Sequence, residues 1–117
     1  MLHSESLKLF GGSTGIRDQG LLESALERPR NRWQSEEEVS VFHLAASYAF
    51  GIARNLPFVD GNKRTALLAI RAFLFTNGYS FSPEEIETVT TIERLAEGSV
   101  DEELLARWIE SHSKRRN

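Results

Sequence analysis

Asn62-Lys63-Arg64-Thr65-Ala66-Leu67-Leu68-Ala69-Ile70-Arg71-Ala72-Phe73-Leu74-Phe75-Thr76-Asn77, followed by Gly78, is the stretch whose reading decides the fold. Between Ala66 and Phe75 only Arg71 interrupts the apolar residues. A helix that is apolar all round is buried on most sides. Gly78 stands where a helix commonly ends in a left-handed residue. The stretch is therefore predicted as the fourth and central helix of the molecule.

Upstream, Asn55 to Gly61 contains Pro57 and an Asp-Gly pair and reads as a loop. Before it, Phe42, Ala45, Ala46, Ala49, Phe50 and Ala53 recur at helical spacing. Ser35 with Glu38 has capping-box spacing, so this third helix is expected to start at Ser35, with Glu36, Glu37 and Glu38 in its first turn. A second helix is expected from Gln19 to Arg28, capped by Asp18 and ended by Pro29. A short first helix, about Glu5 to Phe10, stops at Gly11-Gly12.

Downstream, Ser82-Pro83-Glu84-Glu85 reads as a capping box with proline at the first helical position. It opens a fifth helix carrying Ile86, Val89, Ile92 and Leu95, ending near Gly98. Ser99 with Glu102 predicts a sixth, with Val100, Leu104, Leu105, Trp108 and Ile109 as its apolar stripe. Tyr79-Ser80-Phe81 is a short extended link at most, and the tail from Lys114 to Asn117 is expected to fray. The expected architecture is all-α, a single domain over 1–117, with about six helices around a buried central one.

Bulk properties narrow the function. The 117 residues are 40% hydrophobic and 26% charged, an ordinary globular balance. With no cysteine, disulfides and thiolate metal sites are excluded. The net charge of −3 argues against broad nucleic-acid binding. No leader pattern or membrane-length apolar run is seen, so the expected location is the cytoplasm.

One segment carries chemistry: Leu56-Pro57-Phe58-Val59-Asp60-Gly61-Asn62-Lys63-Arg64-Thr65. It delivers a loop into the N-terminus of the most buried helix. Helix N-termini present backbone N–H groups and the positive end of a dipole, a ready anion site. Gly61 allows close approach to the backbone. Lys63 and Arg64 are cations where the dipole disfavours them, which points to something negative nearby. Asp60 is suited to Mg²⁺ shared with phosphates. The same residues also fit a helix cap and solvated surface charges.

The match at Phe58, Asp60, Gly61, Asn62, Lys63 and Arg64 resembles the Fic family signature His-x-Phe-x-Asp/Glu-Gly/Ala-Asn-Gly/Lys-Arg. Gly51-Ile52-Ala53-Arg54-Asn55, Gly15-Ile16-Arg17-Asp18 and Leu21-Leu22-Glu23-Ser24-Ala25-Leu26 look like its "death on curing" (Doc) branch, so the resemblance covers nearly the whole chain. Doc-like chains usually begin before the equivalent of Leu2-His3, which would make this N-terminus short.

The resemblance implies a toxin of a toxin–antitoxin pair, a phosphotransferase that uses ATP and Mg²⁺ on a protein, elongation factor Tu in the family. Leu56 stands at the general-base histidine and has no proton-accepting atom. Phe58 would anchor the loop. Asp60 would hold Mg²⁺. Gly61, Asn62, Lys63 and Arg64 would form the nucleotide phosphate site, Arg64 through a bidentate fork. Lys63 replaces the glycine of AMP-transferring relatives, which favours γ-phosphate transfer over adenylylation. Leu56 is either natural, giving a non-catalytic binding protein, or introduced to silence a toxic enzyme; the intact remainder of the motif favours the second. An antitoxin would dock a helical C-terminal segment in an apolar groove.

Other residues signal less. Arg54 is read as reaching phosphate or partnering its own helix end. Arg28, Arg30 and Arg32 around Pro29 read as a solvated turn, His43 as structural, and Trp33 and Trp108 as packing residues. His3 and His112 have no metal-ligand spacing.

Overall fold

A computed structural model of the chain describes residues 15–35, 40–55 and 61–116. Five helices and a two-stranded ribbon lie within them: α1 (Gln19–Ser35), α2 (Val41–Asn55), α3 (Asn62–Thr76), β1 (Tyr79–Phe81), α4 (Glu85–Glu97), α5 (Glu102–Ser111) and β2 (Ser113–Arg115). The all-α expectation holds. The short helix expected at Glu5–Phe10 lies outside the described residues.

Asp18 caps α1 as expected, its Oδ1 accepting from the Leu21 N–H at 3.0 Å. Pro29 does not end that helix. A proline in a helix interior costs about 3 kcal/mol. Here Pro29 is buried, and Arg28 and Arg32 on either side of it both bind Glu102 of α5. Tertiary contacts outweigh the local preference.

The start of α2 is corrected too. Ser35 is the last residue of α1, and Ser40 caps α2 by accepting from the His43 N–H at 3.1 Å. Its hydroxyl satisfies one of the orphan N–H groups of the first turn. Glu36, Glu37 and Glu38 lie outside the described residues. At α4 the cap is Glu84, not Ser82: Glu84 Oε1 accepts from the Glu87 N–H at 3.0 Å. The Ser82 N–H is committed to the His112 carbonyl at 3.1 Å, which keeps the chain extended past Pro83. Asp101, not Ser99, caps α5, accepting from the Leu104 N–H at 2.8 Å.

Among the described residues the hub is α2, not the helix at Asn62–Thr76. α2 packs against α1, α3, α4 and α5. It buries Ala45, Ala46, Ser47, Ala49, Gly51 and Ala53, small residues that let neighbours approach closely. A Cβ on Gly51 would lie 2.9 Å from Ala25 Cα, so α1 and α2 touch backbone to backbone there. α3 buries Thr65, Ala66, Ala69, Ile70 and Leu74 but leaves Phe75 61% exposed. Gly78 does close it, at φ 91°.

Lys114 to Arg116 are not frayed, while Asn117 lies outside the described residues. Residues 113–115 pair antiparallel with 79–81, Tyr79 opposite Arg115, Ser80 opposite Lys114 and Phe81 opposite Ser113. The Arg116 N–H extends the ladder to the Gly78 carbonyl at 2.7 Å. Three-residue strands 34 positions apart leave no local period to read.

Candidate active site

Described residues flank the motif on both sides. Where α2 ends, the Asn55 side-chain amide donates to the Leu21 carbonyl at 3.0 Å. The Asn55 carbonyl accepts from Arg17 Nη2 at 3.2 Å. That guanidinium sits at the negative end of the α2 dipole, where a cation is favoured. Both bonds tie the entrance of the motif to α1 and the segment before it.

At the exit, Gly61 takes a left-handed conformation, φ 77° and ψ 20°. Its carbonyl accepts from the Thr65 N–H at 2.8 Å, closing the first turn of α3. Arg64 folds back over Gly61: a Cβ there would meet Arg64 Nη2 at 2.8 Å. The missing side chain thus makes room for a guanidinium against the backbone. Lys63 and Arg64 also line, with Leu67, Thr88, Val89, Ile92 and Glu93, a cleft of about 300 Å³ between α3 and α4.

The structure brings Gly61, Asn62, Lys63 and Arg64 into one helical turn. Leu56, Phe58 and Asp60 lie outside the described residues. Two cations, the positive end of a 15-residue helix and a backbone without a Cβ suit an anion. A nucleotide phosphate fits that donor set. The magnesium ligand expected at Asp60 belongs to the segment outside the description.

The Fic/DOC family profile matches residues 1–74. The chain belongs to the Fic/DOC family. It is 36% identical over 90 residues to the protein kinase doc of Escherichia phage P1, a match covering 76% of this chain and 71% of the phage protein. It is 38% identical over 76 residues to the toxin Doc of Mycolicibacterium smegmatis, covering 64% of this chain and 58% of that protein.

In this Fic/DOC chain Arg54, Arg28, Arg32 and Glu102 serve the scaffold. Arg54 stacks over the Phe50 ring at 5.4 Å and lies beside Gly98, which places it among packing contacts. Arg28 and Arg32 are not a solvated turn. With the Ser47 hydroxyl, which donates at 2.6 Å, they converge on the Glu102 carboxylate, whose side chain is only 13% exposed. Burial alone would push that carboxyl up; hydrogen bonds from Ser47, Arg28 and Arg32 outweigh it and hold it below the usual glutamate value. Sequence reasoning missed this clamp, although arginines four apart around Pro29 mark one face of a continuing helix.

His43 is structural as expected, bonded to Ser40 and to Glu103 of α5 at 2.8 and 3.0 Å. Trp108 packs edge-on against Phe81 and donates to Glu87 at 2.9 Å. Trp33 is corrected: it is 64% exposed rather than packed.

Proposed function

We propose that this chain is the toxin of a toxin–antitoxin pair, with an ATP-dependent protein phosphotransferase site at the start of α3. The observation that carries this reading is Arg64 folded over a left-handed Gly61, with Lys63 beside it at the helix N-terminus. The kinase and toxin names of the two relatives point the same way. Bound ATP with Mg²⁺ would supply the transferable phosphoryl group and the metal charge. Arg64 and Lys63 bind and orient its phosphates, Arg64 as a fork and Lys63 as a point charge. Asn62 adds a polar contact, Gly61 lets the phosphates approach, and Asp60 holds the metal. Positioning and charge supply most of the rate in such transfers.

Leu56 occupies the general-base position and can accept no proton, so this chain binds nucleotide but transfers almost nothing. The substrate is a translation factor, elongation factor Tu, met in the cytoplasm, and the partner is an antitoxin with a helical C-terminal segment. Lys63 in the glycine slot disfavours the alternative of adenylyl transfer. The same Leu56 gives a second reading its ground: a nucleotide- and partner-binding protein without catalysis.

The experiment is Leu56→His, mixed with elongation factor Tu and ATP labelled at the γ- or the α-phosphate. The expected outcome is γ-label on the factor with the variant and none with the parent chain. Transfer of α-label would establish adenylylation instead. No transfer of either label would leave only the binding role.

A further inference from the structure

A second cleft, about 470 Å³, opens between α3 and the ribbon. Leu68, Arg71, Ala72 and Phe75 form its helical wall, and all three residues of β1 form the other. No residue of β2 lines it, so it lies along the edge of β1 that faces away from β2.

The register fixes what that edge offers. Gly78 pairs with Arg116 and Ser82 with His112 by hydrogen bonds. Antiparallel pairs alternate, so Ser80 also directs its N–H and C=O toward β2. Those of Tyr79 and Phe81 then point the other way, along the cleft. An open strand edge is a template for another strand.

Charge decides what could pair there. Arg71 lines the cleft, Lys114 stands opposite Ser80, and Arg116 lies 4.0 Å over the Phe75 ring. Among the described residues none of the three makes an ion pair, and no acidic residue lines the cleft. The whole chain carries −3, so this face runs against its balance. Like charges argue against β1 pairing with the β1 of a second copy, which would bring both cation sets together. The apolar Leu68 and Ala72 wall and the overall acidity disfavour nucleic acid.

We propose that the open edge of β1 docks an extended acidic peptide segment of a partner protein, which adds as a third strand. Backbone bonds to Tyr79 and Phe81 supply the pairing. Alternate side chains enter the cleft, and carboxylates on the outer face meet Lys114 and Arg116, with Arg71 at the rim. This site sits at the C-terminal end of α3, roughly 15 Å along the helix from Arg64, and stands or falls independently of the phosphotransfer reading.

The test uses the full chain and a short fluorescein-labelled peptide of alternating Glu and Val, followed by anisotropy. Saturable binding is expected, weakened about tenfold or more when Gln replaces Glu or when the chain carries Arg71→Glu with Lys114→Glu. Peptides N-methylated at one alternate set of residues should lose binding, while those methylated at the other set keep it, because only one set faces β1. That arm leaves the protein unaltered. Equal binding of the Gln peptide or equal loss from both methylation sets would overturn the proposal. So would tighter binding of oligothymidine, or a concentration-dependent dimer in sedimentation that the peptide dissolves.

Discussion

Gly61 combines two demands that no other residue type meets together. Its φ of 77° lies where a side chain is strained, and the space a Cβ would fill is taken by Arg64 Nη2, 2.8 Å away. Gly61→Ala should therefore cost about 1–2 kcal/mol of stability and push the guanidinium away from the start of α3. The measurement is a urea midpoint together with ATP affinity. Affinity that falls further than the stability loss accounts for is the expected result; unchanged affinity would separate Arg64 from the anion site. Lys63 and Arg64 stand out in the sequence because a cation pair against a helix dipole is a local conflict, whereas Asn62 is singled out only by the resemblance to the family signature. The fold of Arg64 over Gly61 was not legible, since spacing says nothing of a rotamer. Leu56 is the opposite case: its chemistry is read from its identity alone, because no geometry gives a leucine a proton-accepting atom.

At the scale of elements, the α1–α2 contact rests on Gly51, whose missing Cβ would stand 2.9–3.1 Å from the backbone and Cβ of Ala25. Backbone cannot yield as a flexible side chain does. Gly51→Ala should destabilise the fold by about 1–3 kcal/mol despite alanine's better helix propensity. A raised urea midpoint would contradict the close packing. The helices α2, α4 and α5 are legible in the sequence because their apolar residues recur at helical spacing, and α3 because its apolar run is nearly unbroken. The start of α3 at Asn62 is as expected, but those of α2, α4 and α5 differ because acids and serines crowd each boundary: Ser40, Glu84 and Asp101 hold the caps expected at Ser35, Ser82 and Ser99. The hub was misplaced for a related reason. Apolar density marks α3, but among the described residues the helix that packs against every other one is α2, whose alanines and glycine are small rather than strongly apolar. Pro29 and the ribbon were hidden because both depend on partners far along the chain, Glu102 for the one and residues 113–115 for the other.

At the scale of the molecule, Glu102 joins three helices through one carboxylate. Arg28 and Arg32 reach it from α1, Ser47 from α2, and it stands in the first turn of α5, where the helix dipole also favours an anion. Arg28 in turn lies 4.4 Å over the Phe50 ring, so the clamp also orders the hub's surface. Hydrogen bonds from Ser47, Arg28 and Arg32, with the Arg28 charge added, outweigh the desolvation of burial, which is why the folded-state carboxyl lies below its ordinary value. The sign follows from linkage. A group with a depressed folded pKa stabilises the fold above its unfolded pKa and loses that contribution as pH falls through the folded one. The chain should therefore lose stability as pH drops below about 5, with Glu102 contributing part of the slope. Glu102→Gln keeps the shape and part of the hydrogen bonding but leaves Arg28 and Arg32 without their counter-charge. It should lower stability near neutral pH by about 1–3 kcal/mol and flatten the acid limb of Tm against pH. Because other carboxylates titrate equally in both proteins, the difference between the two curves isolates this residue. Parallel curves from neutral to acid pH would show that the charge on Glu102 does not hold α1, α2 and α5 together.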